Sequence, residues 1–163
     1  MRQLIKQRDI VSDDWRYVQE DPLGRERALI LPFARWREER ERWWLWDGRL
    51  GVRIGPSDPV NALQHDLLRI ALVAIEFGGI GEGRGYSQAQ ILRKRLRFTG
   101  ELRAVGKIQR DQLFYLARCG FDAFELAEDA DLQAALAAFD SFSVAYQPAV
   151  DQGLSLRRRS IGT

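Results

Sequence analysis

The stretch from Ile75 to Phe124 constrains the fold more than any other part of the chain. An apolar run ends in a glycine-rich, charged loop, Gly78 to Gly85, and a helix pattern follows it. A short strand pattern comes next, Glu101 to Val105, then a second helix pattern and a third strand at Phe121 to Glu125. Strands separated by helix-length segments are parallel neighbours joined by crossovers, because antiparallel neighbours need only a tight turn. The order β-loop-α-β-α-β therefore predicts an α/β protein.

Reading outward extends the pattern. Ala28 to Pro32 (ALILP) is a first strand and Phe33 to Trp44 a helix, with Phe33, Trp36, Arg40 and Trp44 near helical spacing. Leu50 to Ile54 is a second strand, ended by Gly55-Pro56, and a helix over about Pro59 to Arg69 follows. Ala71 to Phe77 is nearly all apolar, as a strand covered on both faces should be. Ser87 suits the N-cap of a helix running to about Leu96. Ile108 to Arg118 is a helix with Gly120 as its C-cap, Phe121 to Leu126 a strand, Asp129 to Phe139 an alanine-rich helix, and Ser143 to Tyr146 a last short strand.

These units predict a mostly parallel sheet of about six strands. They are too few for a closed eight-stranded barrel, leaving an open sheet with helices on both faces or an incomplete, curling barrel. Residues 1–146 read as one domain. Within it, residues 1–24 lack a clear period, although Leu4, Ile5, Ile10 and Val11 fit a hairpin with Trp15 folding back on the core. Residues 147–163 read as a mobile tail containing the triplet Arg157 to Arg159.

Charge and cysteine content exclude several classes. The net charge is +2, less than the arginine triplet alone supplies, so no broad nucleic-acid-binding surface is expected. The longest apolar run, Ile70 to Ile75, is far too short to span a bilayer. A lone cysteine, Cys119, and no recognisable secretion signal point to a reducing cytoplasm. With one Cys and one His, His65, no Cys–His metal set is possible, and no motif identifies a bound cofactor.

In parallel α/β proteins, ligands sit beyond the carboxyl ends of the strands. The richest of those loops here is Gly78 to Ser87. Its glycines allow close backbone approach, Arg84 supplies a forked cation, Gly85 and Tyr86 continue it, and Ser87 opens the helix. Together they suit a small anion, although an ordinary loop and N-cap would use the same residues. Neither a phosphate-binding loop nor a dinucleotide fingerprint is present. Arg53, Glu76, Arg103 and Glu125 place one charge on each core strand with alternating sign, which predicts a cross-strand ionic row. That row is either a structural network or a polar floor under a ligand. Arg103 and Arg110 are further candidate anion contacts, with Glu76, Glu82 and Asp111 as supporting carboxylates. Trp36, Trp43, Trp44 and Trp46 either cap the core or form an exposed docking patch. His65 and Cys119 read as non-catalytic.

GRGYS (Gly83 to Ser87), ILR (Ile91 to Arg93), TGELRAVG (Thr99 to Gly106), RDQL (Arg110 to Leu113) and RCGFDAF (Arg118 to Phe124) resemble the DUF934 family of bacterial proteins over about Ala28 to Gln147. The chain departs from the family pattern just before GRGYS, where Phe77 to Glu82 read Phe-Gly-Gly-Ile-Gly-Glu without the usual proline and second aromatic. The resemblance implies a role in assimilatory sulfite reduction. On that basis the expected function is an accessory protein that binds a partner enzyme of the sulfite reductase system, with a small oxyanion in the Arg84 loop. The alternative is an oxidoreductase of the same pathway using a loosely bound or partner-supplied redox cofactor.

Overall fold

The structure, a computed structural model, describes residues 2–20, 24–79 and 83–150, with the backbone alone for 142–150. Eight strands form one mixed sheet: β1 (Gln3–Lys6), β2 (Asp9–Ser12), β3 (Arg16–Tyr17), β4 (Ala28–Pro32), β5 (Arg49–Ile54), β6 (Ile70–Phe77), β7 (Glu101–Gly106) and β8 (Ala123–Phe124). Their order across the sheet is β2-β1-β8-β7-β6-β5-β4-β3. Strands β3 to β8 are parallel, while β1 pairs antiparallel with both β2 and β8.

Six strands were expected and eight are present. The N-terminal hairpin accounts for two of them, pairing Leu4 with Val11 and Ile5 with Ile10. The last expected strand, Ser143 to Tyr146, is instead part of the helix α5 (Leu132–Val150). No glycine or proline interrupts the chain between Leu132 and Gln147, so nothing stops the alanine-rich helix. That helix also takes in Gln147 to Val150, and residues 151–163, with Arg157 to Arg159, lie outside the described residues.

The parallel strands run across the sheet in chain order. Right-handed crossovers that step in one direction all fall on one face, so this sheet is singly wound. Packing agrees. The main core joins Leu31, Val52, Ile75 and Ala104 of the strands to Trp36, Leu63, Leu92 and Leu116 of the helical segments. The opposite face holds a smaller cluster, Trp15, Ala28, Ile30, Leu72, Ala74 and Val105, with no helical residue in it. Helices on both faces, one form of the expectation, are therefore replaced, among the described residues, by a helical layer on one face only.

The other face is enclosed by curling. The two sheet edges, β2 and β3, are joined by three residues, Asp13 to Trp15. From Ser12 to Arg16 an extended chain reaches at most about 14 Å. Eight strands laid flat would separate their edges by about 34 Å. The sheet must therefore curl until its edges approach, and its second face becomes the inside of the curl.

The helical segments are shorter than their apolar periods suggested. Phe33 to Trp44 divides at Glu39 into α1 (Phe33–Glu38) and α2 (Arg40–Leu45). The side chain of Glu39 accepts hydrogen bonds from Arg35 and from the Trp43 indole, at 2.9 and 3.1 Å. Val60–Asp66 is a 3-10 helix. Helix α3 begins at Arg84, with Gly83 at its N-cap, so Ser87 lies inside it and its backbone N–H donates to the Gly83 carbonyl at 3.3 Å. It runs on as a π turn, Ile91–Arg95, that lets Arg93 donate to the carbonyls of Phe98, Gly100 and Gly120. A 3-10 turn at Arg110–Gln112 leads into α4 (Leu113–Arg118). Gly120 follows α4 with φ of +113°, as its expected C-cap role requires.

Among the described residues no helix is long and apolar enough to cross a membrane.

Candidate functional site

Two charged groups stand on the concave face of the sheet. Side chains alternate along each strand, so Arg53, Glu76, Arg103 and Glu125 all avoid the helical layer. Arg53 and Arg103 share one row, because both pair with Ala74 across the parallel ladders. Glu76 lies one row higher, opposite Val105. The expected ionic row thus resolves into two pairs rather than a continuous line: Arg53 with Glu76 at 3.2 Å and Arg103 with Glu125 at 3.6 Å.

The first group, around Arg103, is sealed. The Arg103 side chain is 1% exposed, and so is that of Asp13, which accepts from both terminal guanidinium nitrogens at 3.0 and 3.1 Å. Glu101 accepts from Nε at 2.9 Å. Arg2 pairs with Asp13 and Glu125, Lys6 with Glu101, and the Tyr17 hydroxyl donates to Glu125 at 2.6 Å. Three carboxylates (Asp13, Glu101 and Glu125) thus face three cations (Arg2, Lys6 and Arg103), which meets the requirement that buried charge be paired.

The protonation tendencies follow from this pairing. Burial pushes the Asp13 carboxyl up, but bonds from Arg103 and Arg2 outweigh it and hold the group below its usual range. Burial raises the Tyr17 phenol, and the adjacent Glu125 charge raises it further. Arg103 is held firmly cationic: burial alone would lower it, and Asp13 and Glu101 more than reverse that. A guanidinium with this many carboxylate partners is a structural element, and its fork is not free for an oxyanion.

Asp13, Tyr17, Arg2 and Glu101 were not anticipated as parts of this network. Asp13 is separated from Arg103 by 90 residues and lies in a segment without a period. Only the curl brings them together. The alternation of Glu101 with Arg103 on one strand was the one available signal, since residues two apart share a face.

The second group lies where β3 to β6 end. A cleft of about 420 Å³ is lined by Tyr17, Val18, Pro32, Phe33, Arg53, Gly55, Asp58 and Glu76. Here the Arg53 and Glu76 side chains remain 35% and 42% exposed. The Arg53 guanidinium lies 5.4 Å from the Tyr17 ring centre, and the Gly55 N–H donates to Asp58 at 2.7 Å.

The anion candidates are not brought to one place. Arg84 is exposed, and its guanidinium donates to the Pro56 carbonyl at 3.1 Å, turned toward the β5 loop. Gln88 binds the same loop through the carbonyls of Gly55 and Asp58, while its buried Oε1 has no partner among the described residues. A Cβ on Gly85 would meet the Phe77 ring at 2.5 Å, so this glycine serves helix-to-strand packing. Tyr86 packs on Phe77 and Tyr115 and accepts from the Gln112 amide at 3.3 Å; burial raises its phenol. Ser87 is exposed on α3. Arg110 and Asp111 are exposed beside a different cleft, of about 620 Å³, bordered by Leu126, Ala127 and Asp131. Glu82 lies outside the described residues.

Among the remaining candidates, Cys119 is buried and its thiol is raised by that burial, and His65 is exposed on the 3-10 helix. Trp36 and Trp43 belong to the core, Trp46 packs against it, and Trp44 is exposed.

Fold and charge placement together define a singly wound, curled α/β protein with a sealed ionic interior and open clefts at the carboxyl ends of its strands. The family model for bacterial proteins of unknown function, DUF934, matches residues 51–156, and the chain belongs to that family. No curated protein matches it.

Proposed function

We propose that this protein is a cytoplasmic accessory of assimilatory sulfite reduction that docks a partner enzyme of that pathway. The pathway comes from the family resemblance. The docking reading rests on one observation, an apolar rim at the amino ends of the strands. Leu45 is 88% and Leu68 104% exposed, and Trp44 is 44% exposed. All three fall just before β5 or β6 begins. A hub holds the rim in place: buried Asp66 accepts two bonds from Arg40 at 2.6 Å each and one from the Trp44 indole at 3.2 Å. Arg69 ties the same corner by donating to the carbonyls of Trp43, Trp46 and Gly48. A rigid rim that spends large apolar side chains on solvent suits a protein partner better than a small molecule.

The oxyanion part of the reading narrows to Arg84, the one cation of the glycine loop. Calorimetry with sulfite and sulfate on wild type and Arg84→Ala tests it, and equal heats remove it.

The docking part is tested by pull-down of sulfite reductase at low salt, with wild type and a Trp44→Ser/Leu45→Ser/Leu68→Ser variant checked for unchanged circular dichroism. The expected result is recovery with wild type and loss with the variant. No recovery with wild type, or equal recovery with both, overturns the reading. A native protein that releases flavin or haem on denaturation would move it to the oxidoreductase alternative.

A further inference from the structure

We infer that the cleft at the carboxyl ends of β3 to β6 is a binding site for a free α-amino acid with an apolar side chain. Position and size come first: it lies where parallel α/β sheets take their ligands, and about 420 Å³ is within the range of small-molecule sites. Its chemistry narrows the class. Arg53 and Glu76 form an ion pair, with Nη2 at 3.2 Å from Oε1. Among the described residues neither makes another hydrogen bond or ion pair, so donors of the guanidinium and one carboxylate oxygen remain uncommitted. The sealed Arg103 on the same sheet face is the opposite case, with Asp13, Glu101 and Glu125 around its fork.

A lone anion would meet Glu76, and a lone cation would meet Arg53; each would be repelled by one member of the pair. A ligand carrying both signs satisfies both. Because the two protein charges are adjacent, the ligand's charges must be adjacent too. The carboxylate and ammonium of an α-amino acid share one carbon and fit that spacing. The carboxylate would take the planar fork of Arg53, and the ammonium the free oxygen of Glu76. Val18, Ile30, Pro32, Phe33 and Ala34 add apolar surface, which selects an apolar substituent on the same carbon. Gln19 and Asp58, whose carboxylate accepts from the Gly55 N–H at 2.7 Å, are the other polar side chains of the lining. The Tyr17 ring supports the guanidinium from one side, at 5.4 Å, and Tyr17 is itself held by its bond to Glu125.

This inference does not depend on the docking reading, because the Trp44–Leu68 rim lies at the other ends of the same strands. A thermal-shift screen of the full-length protein against the twenty free L-amino acids comes first. Calorimetry then compares the best hit with two analogues, its decarboxylated amine and its deaminated acid. The expected result is an apolar amino acid bound at least tenfold more tightly than either analogue. Arg53→Gln and Glu76→Gln should each weaken binding at least tenfold while circular dichroism and melting stay near wild type. The inference is overturned if no amino acid shifts melting at millimolar concentration, if either analogue binds as well as the amino acid, or if both variants bind like wild type.

Discussion

Arg53 and Arg103 are placed almost alike by the sheet and used in opposite ways. They stand in one row of the same face, on either side of Ala74. Yet the Arg103 side chain is 1% exposed and that of Arg53 is 35% exposed. The strands do not make that difference. Asp13, carried by the three-residue link between the sheet edges, closes on Arg103, whereas among the described residues only Glu76 and the Tyr17 ring reach Arg53. One arginine closes the curl, and the other is left at the mouth of a cleft. The comparison shows that chain topology, rather than strand sequence, decides whether a charge here is structural or available.

The sharpest way to break this contrast is Arg103→Leu. It strands the buried carboxylates Asp13 and Glu101 without their main partner, and should cost about 3–5 kcal/mol. Urea unfolding measures it, and a loss under about 1 kcal/mol would mean that the interior is not sealed. Tyr17→Phe comes next. It removes the hydroxyl from Glu125 and should cost about 1.5 kcal/mol, since the acceptor is charged and part-buried. The same unfolding experiment checks it, and a neutral result would remove Tyr17 from the network.

Acid provides a third probe. The folded-state carboxyl of Asp13 is held below its ordinary value, so its contribution is present above about pH 4 and is lost as pH falls through its folded value. Wild type should therefore lose stability more steeply below pH 4 than Asp13→Asn, which has no such group to protonate. Parallel slopes for the two proteins would sink this assignment. Smallest of all is Arg53→Gln. Its ion pair is largely solvated, so after allowance for screening the stability change should stay within about 0.5 kcal/mol. A loss of 2 kcal/mol or more in urea would show that the mouth is as structural as the interior.

Much of the parallel sheet was legible because it obeys local rules. The near-continuous apolar strand at β6, the β5 strand closed by Gly55-Pro56 and the Gly120 turn after α4 each carry their signal within a few residues. The N-terminal hairpin was also readable, from Leu4, Ile5, Ile10 and Val11, but its place beside β8 was not. Helix lengths were overread. Apolar spacing fits a 3-10 turn or a broken helix as well as a continuous one. The first helix is interrupted at Glu39, whose backbone (φ −110°, ψ 29°) leaves the helical region while its side chain still bonds Arg35 and Trp43 one turn away on either side. For the site, alternation of charge on four strands correctly put Arg53, Glu76, Arg103 and Glu125 on one face. Which of them would be sealed depended on Asp13, and nothing around Asp13 announces that role.

Alternating apolarity, turn residues and helix-length spacers were enough to prescribe parallel strands joined by crossovers, because each acts over one or two turns of chain, whereas their chain order across the sheet was decided by the fold. The curl, the joining of the outer strands through Asp13 to Trp15 and the division between a sealed and an open arginine belong to the folded molecule. They are set by contacts between residues about 90 to 110 positions apart, and contacts at that separation leave no periodic trace in the chain.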